Sequence, residues 1–173
     1  MDEKKEPVID YKNNEDDDED SLINYVLETI YKKNALLLPP VEDHLEFDAC
    51  NFDLFDVGSP PLPMEYTIDF LMETNGLSWE SVEFFGTYDV KDKSTGYTVL
   101  NSIVYENFEV RKREAFPKHF LLIGSEDEFN FIYDFKTQKY KIIDRLTLIE
   151  AEEFDSFEEL IKDTFRDICN GYK

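Results

Sequence analysis

Aromatic side chains occupy every second position of one stretch of the chain and alternate there with mainly polar residues: Phe129, Phe131, Tyr133 and Phe135. Alternation with a period of two predicts a half-buried β-strand. The apolar run 120–123 precedes this strand, and residues 140–143 follow it after the polar turn 136–139. The three segments predict an antiparallel meander, with the acidic connection 125–128 in water.

Helical periodicity marks the segments that can cover such a sheet. The first helix is predicted to begin at Asp20 or Ser21, because either side chain can cap it. A central helix is predicted over residues 63–75, and a last helix follows Ser156, which forms a capping-box pattern with Glu159. The apolar stripe predicted for the central helix comprises Met64, Tyr66, Ile68, Phe70, Leu71 and Met72.

Two more elements complete the predicted fold. Residues 79–90 predict a strand or strand pair, and residues 102–114 predict another helix. The positions of that helix expected to be buried are Ile103, Val104, Phe108 and Ala115. The sequence thus predicts an α+β fold: one domain, residues 20–173, with a twisted, mainly antiparallel sheet of about four to six strands packed by N-terminal, central and C-terminal helices. Residues 1–19 are predicted to form a flexible acidic arm.

Composition agrees with a folded, soluble protein. The 173 residues are 42% hydrophobic and 15% aromatic, which suffices for one core without metal or disulfide support. No apolar run approaches the length of a membrane span, and the first residues lack the apolar segment of a secretion signal, so a cytoplasmic location is expected. Cys50 and Cys169 lie far apart and are expected to be reduced thiols.

Charge is the strongest compositional signal. The chain has 40 acidic and 18 basic residues, for a net charge of -22. Such a protein repels nucleic acid and anionic membranes, and it associates faster with a basic partner. Solubility alone also accounts for this charge, so the charge permits a basic partner without requiring one.

Catalysis is not expected. The sequence has no phosphate-binding glycine loop, no nucleophile elbow and no zinc-protease motif. Its two histidines, His44 and His119, lie far apart. Glu42, Asp43 and Glu46 surround His44, but neighbouring side chains of an extended segment point to opposite faces, so no metal site is predicted. We expect neither an enzyme nor a cofactor.

Six short segments follow one another in an order typical of one known family: 62–63 (LP), 66–76 (YTIDFLMETNG), 82–85 (VEFF), 121–125 (LLIGS), 131–134 (FIYD) and 156–160 (SFEEL). In this order the chain resembles the SUKH superfamily, small domains named partly after the fungal Smi and Knr cell-wall regulators. The chain departs from the family where many members have glycines after the Ile-Gly-Ser segment, because Glu126, Asp127 and Glu128 stand there.

The resemblance implies a binding module rather than an enzyme. Bacterial SUKH proteins are typically immunity proteins that bind and neutralise a cognate polymorphic toxin, often a nuclease. The alternative is a non-catalytic regulatory or scaffold protein of the fungal type. In the immunity case the expected partner is a cognate toxin protein with a basic surface, with no role for nucleic acid or membrane.

If an acidic face meets that partner, its candidate residues fall in two regions of the sequence. The first is the acidic loop of the meander, and the second surrounds the first predicted strands, where aromatic residues can serve as anchors. The candidate partner-binding residues are Trp79, Glu80, Glu83, Tyr88, Asp89, Glu126, Asp127 and Glu128.

Overall fold

The computed structural model describes residues 21–40, 62–63 and 65–172. The strands are β1 (Leu36–Leu37), β2 (Leu77–Trp79), β3 (Val82–Phe84), β4 (Val90–Lys91), β5 (Thr98–Leu100), β6 (Phe120–Glu126), β7 (Phe129–Asp134), β8 (Lys139–Asp144) and β9 (Glu150–Phe154). Seven of them form one antiparallel sheet in the order β1-β2-β3-β6-β7-β8-β9, and β4 pairs with β5 in a separate hairpin. The helices are α1 (Leu22–Tyr31), a π-helix (Tyr66–Leu71), α2 (Ile103–Val110), α3 (Phe157–Thr164) and α4 (Arg166–Cys169).

The α+β class and the meander β6-β7-β8 are confirmed, but the predicted number of strands is too small. Two short or polar strands at the sheet edges account for the difference. β1 has only two residues, and the glutamate-rich β9 pairs with β8 while remaining almost wholly exposed. Neither has the apolar alternation by which a strand is recognised in a sequence. The predicted acidic arm, residues 1–19, lies outside the described residues.

One face of the sheet carries an aromatic core. Phe84 of β3 stacks on Phe131 of β7 with ring centroids 5.0 Å apart, and Phe157 of α3 meets Phe84 edge-on at 5.6 Å. The hydroxyl of Tyr66, in the π-helix, donates a hydrogen bond to the carbonyl of Phe85 (2.6 Å). The π-helix and α3 therefore cover this face, and the buried side chains of α1 belong to the same core.

The aromatic strand β7 is buried on both faces, so the prediction of a half-buried strand is wrong. Phe129 is 37% exposed, whereas Asn130, Ile132 and Asp134 on the supposed polar face are buried. The second face is covered because α2 packs along β6 and because the segment after α2 reaches the β8–β9 turn. In that contact Arg113 donates hydrogen bonds to the carbonyls of Arg145 (2.6 Å) and Leu146 (3.0 Å).

The helix predicted over residues 63–75 is shorter than predicted, and it is a π-helix, whose turn is wider than that of an α-helix. A backbone hydrogen bond joins the N–H of Met72 to the carbonyl of Thr67, five residues earlier. This wide turn buries Tyr66 and Phe70 completely and leaves Met72 37% exposed, so the predicted burial of Met72 is wrong. Met64 and the side chain of Ile68 lie outside the described part of the chain.

The buried positions predicted for α2 are mostly wrong. Ile103 is buried, but Val104 and Phe108 are 37% and 54% exposed. Ala115, also predicted to be buried, is exposed beyond the end of the helix. Asn107 faces the sheet because its carboxamide binds the backbone of β6, and this contact fixes the rotation of the helix.

Both predicted serine caps are present. The Ser21 hydroxyl accepts a hydrogen bond from the N–H of Asn24, and the Ser156 hydroxyl accepts one from the N–H of Glu159 (both 3.2 Å). Each satisfies one of the free N–H groups at a helix start. No helix within the described ranges combines the length and the apolar character needed to cross a lipid bilayer.

The same six-residue turn occurs three times, after Asp92, Asp134 and Asp144. In each turn the side-chain carboxylate of the aspartate accepts a hydrogen bond from the backbone N–H two residues later. The backbone carbonyl of the same aspartate accepts a hydrogen bond from the N–H four residues later. The residue at that fourth position has a positive φ: 72° at Gly96, 58° at Gln138 and 60° at Leu148. The turn therefore needs a left-handed residue, a conformation that glycine adopts most readily.

We expect Gln138→Gly to raise the free energy of unfolding by about 0.5–1 kcal/mol, because the relief of left-handed strain exceeds the added backbone entropy of glycine. The reverse change, Gly96→Ala, should lower it by a similar amount. A Cβ at Gly96 meets no atom within 4 Å, so conformation alone decides that result. Urea unfolding of the two variants measures both effects, and a destabilised Gln138→Gly variant would contradict this account.

Candidate partner-binding surface

Two tight turns place acidic side chains at one end of the sheet. Glu80 lies in the turn between β2 and β3, and Asp127 and Glu128 form the turn between β6 and β7. Val82 pairs with Glu126, so the two turns belong to neighbouring strands, which lie about 5 Å apart. We call Glu80, Glu126, Asp127 and Glu128 the acidic end.

Among the described residues, none of the four carboxylates of the acidic end forms an ion pair. Glu126 is half-buried, while the other three are exposed. Burial raises the pKa of Glu126, and the negative charges of Asp127 and Asp163 raise it further. Like charges held together without a counter-charge favour the approach of a cation.

The other predicted candidates do not all join this surface. Trp79 is half-buried and stacks on Phe165 with ring centroids 6.0 Å apart, so its ring is part of the packing between sheet and helix. Tyr88 is 47% exposed, in the segment between β3 and β4. The carboxylate of Asp89 accepts a hydrogen bond from the N–H of Ser102 (2.7 Å), and it thereby holds the start of α2.

Glu83 follows Val82 in β3 and is therefore one residue further from the acidic end. Its side chain lies on the face of the sheet opposite the aromatic core. It pairs with Ser125, which in turn pairs with Asn130. These three side chains line a cleft of about 360 Å³ between the sheet and α2. The other residues that line the cleft are Phe85, Glu106, Glu109, Val110, Arg113, Leu122 and Arg145.

The sequence indicates Glu83 as a candidate partner-binding residue, but it does not predict the cleft that Glu83 lines. Glu106 and Asn130 are separated by 24 positions and are polar residues in a chain with many polar residues, so no local pattern links them. Only the packing of α2 on β6 brings them together. The one available signal is the isolated break in the β7 pattern at Ile132, because an apolar residue on a supposedly polar face indicates that something covers that face.

The basic cluster 111–113 acts mainly on the backbone. Arg111 donates a hydrogen bond to the carbonyl of Phe120 (2.7 Å), and Arg113 holds the β8–β9 turn as described above. Lys112 pairs with Glu109 at 2.6 Å. Lys112 thus balances an acidic side chain, while the two arginines anchor the segment after α2 through backbone carbonyls.

The histidine and cysteine of the described region lie away from the cleft. His119 Nε2 is 3.8 Å from Asp134 Oδ1, and Cys169 is a free thiol whose pKa is raised by burial. Cys50 and the acidic segment around His44 fall outside the described residues.

The fold and the acidic end define an α+β protein with a charged, open surface beside a small cleft. No protein-family model matches the chain, and no curated protein matches it either. The resemblance to the SUKH superfamily therefore remains a prediction that rests on the six short segments quoted above.

Proposed function

We propose that this protein is a non-catalytic inhibitor that binds a basic protein through its acidic end, as an immunity protein binds a cognate toxin domain. The observation that carries the proposal is the lack of counter-charge at the acidic end within the described ranges. A partner that supplies cations relieves the repulsion among these carboxylates. The net charge of -22 adds a long-range attraction for the same partner.

A toxin that degrades nucleic acid suits this surface on physical grounds. Such an enzyme presents lysine and arginine side chains to a phosphate backbone, so its active face is basic. An acidic protein can occupy that face and exclude the substrate. Electrostatic attraction also speeds the encounter, which benefits an inhibitor that must bind before the toxin acts.

The first experiment is a pull-down from the source cells with the tagged full-length chain, washed at about 0.05 M and then about 0.5 M NaCl. We expect one basic protein to be retained at low salt and released at high salt. Adding the purified chain should abolish the toxic activity of that protein. Recovery of several unrelated housekeeping proteins would instead favour the regulatory or scaffold function.

A triple variant, Glu126→Gln, Asp127→Asn and Glu128→Gln, assigns the interaction to the acidic end. We expect it to weaken binding to the recovered partner by about tenfold or more and to reduce the salt dependence. The matched control neutralises three exposed acids elsewhere, Glu28→Gln, Glu73→Gln and Asp167→Asn. Equal weakening by both triple variants would show that net charge, not the acidic end, governs binding.

A further inference from the structure

The cleft beside the acidic end is lined by three glutamates and two arginines. The Glu106 carboxylate accepts a hydrogen bond from the side-chain amide of Asn101 (2.5 Å). Glu83 of β3 and Glu106 of α2 face the same space. Burial raises the pKa of Glu83 and the charge of Glu106 raises it further, while Arg145 acts in the opposite direction. Within the part of the chain that the structure describes, neither glutamate forms an ion pair.

Asn130 provides an independent indication of a ligand. This residue is only 4% exposed and lines the cleft. Its carboxamide makes no hydrogen bond to any other described residue, although the carboxamide of Asn107, buried to a similar extent, makes three. The amide groups of side chains that are largely buried in folded proteins are almost always hydrogen-bonded. A ligand in the cleft can supply the missing partner.

The walls of the cleft favour a guanidinium over a compact ammonium. Phe85 and Val110 line it with apolar surface, and the acceptors Glu83, Glu106 and Asn130 come from three different elements. A guanidinium is planar, weakly hydrated and carries five N–H donors in fixed directions, so it can contact apolar walls while reaching several acceptors. The volume of the cleft is at the lower end of the range for ligand pockets, which suits a single side chain.

Together these features identify a binding slot for one side chain of the partner. We propose that the cleft between α2 and the sheet receives an arginine side chain, with its guanidinium bound by Glu83, Glu106 and Asn130. This inference rests on the proposed function, since it names the group that a basic partner presents next to the acidic end. Arg145 lines the same cleft and competes with the incoming arginine for Glu83.

The test uses the purified full-length chain and N-acetyl-arginine amide, an arginine with both termini blocked, so that the guanidinium carries its only charge. We expect saturable shifts in the NMR amide signals of Ser125, Asn130 and Glu83, with a dissociation constant of about a millimolar. N-acetyl-citrulline amide has nearly the same shape without the charge and should bind at least about fivefold more weakly. Absence of saturable shifts, or equal binding of the two probes, would overturn the proposal.

Variants of the cleft distinguish binding of the arginine probe in the cleft from nonspecific electrostatic attraction to the acidic protein. Glu83→Gln and Glu106→Gln should each weaken binding of the arginine probe by about fivefold, whereas Arg145→Gln should strengthen it because the competing cation is removed. Glu28→Gln, an exposed acid on α1, is the control and should have no effect. A basic partner that is recovered in the pull-down while the probe fails to bind would overturn the slot and leave the proposed function intact.

Discussion

Replacement of Asn107 by alanine is expected to lower the free energy of unfolding by about 3 kcal/mol or more. The Asn107 carboxamide accepts a hydrogen bond from the N–H of Leu122 (2.8 Å) and donates to the Leu122 carbonyl (2.7 Å). It also donates to the carbonyl of Ile103 (2.8 Å). The side chain is fully buried, so water cannot replace these bonds in the variant.

The expected effect is large because the Asn107 side chain makes the hydrogen bonds to β6 that a neighbouring strand would otherwise make. The pairing of β3 with β6 extends from Val82 to Phe84, and one more backbone bond joins Phe85 to Ile123. Without Asn107, the backbone N–H and carbonyl of Leu122 at this edge of β6 would lack these hydrogen bonds. Alanine leaves a buried N–H and a buried carbonyl unpaired, and each unpaired group is unfavourable by about 1–3 kcal/mol.

Urea unfolding measures the loss of stability, and hydrogen exchange locates it. In the Asn107→Ala variant the amide of Leu122 should lose protection more than the amides at the centre of β7. Tyr105→Ala is the matched control, because Tyr105 lies on the exposed side of the same helix and should change stability by less than about 0.5 kcal/mol. A similar loss in both variants would show that helix content, rather than the Asn107 contact, determines the effect.

Local patterns predicted the parts of the fold that local interactions specify. The serine caps were predictable because a cap involves residues three apart, and the aromatic strand was predictable because its alternation is continuous. The rotation of α2 was not predictable, since it depends on Asn107 meeting a strand 15 residues later in the sequence. The apolar character of Phe108 predicts that this residue faces the core, but its side chain is exposed in the fold.

The same distinction applies to the candidate site. The acidic turn was predictable because three consecutive acids follow an apolar strand, and Asp127 and Glu128 are exposed as predicted. The prediction is wrong for Glu126, which ends β6 and is half-buried. The proximity of the acidic turn to Glu80 depends on the pairing of β3 with β6, which no short segment encodes. The cleft was beyond sequence reasoning because its polar residues are defined by burial, and burial follows from the packing of α2.

The ion-pair cluster around Lys141 was also missed, because its members come from three strands. The Lys141 ammonium pairs with Asp134 (3.2 Å), Glu150 (2.9 Å) and Glu153 (3.2 Å). Lys141 and Asp134 are only 8% and 3% exposed, whereas the side chains of the two glutamates are 47% and 40% exposed. The ammonium therefore compensates the buried Asp134 carboxylate and ties the polar edge strand β9 to the sheet.

We expect Lys141→Met to lower the free energy of unfolding by about 3 kcal/mol near pH 7, because removal of one partner leaves a buried charge uncompensated. Lys139→Met is the matched control. Lys139 makes a single ion pair with the exposed Asp155, and such pairs contribute only about 0–1 kcal/mol. The double variant Lys141→Met with Asp134→Asn should recover part of the loss, since it removes the unpaired charge.

The pH dependence distinguishes charge from packing. Burial raises the pKa of Asp134, but hydrogen bonds from the Lys136 N–H and the Lys141 ammonium outweigh burial and leave this pKa below its ordinary value. The stabilisation from ionised Asp134 is thus present above about pH 4 and is lost as the pH falls through the folded-state pKa. In Lys141→Met the pKa of Asp134 should rise, so the variant protonates this group earlier and its deficit should shrink by about pH 3. A deficit that stays constant between about pH 7 and about pH 3 would assign the effect to lost packing instead.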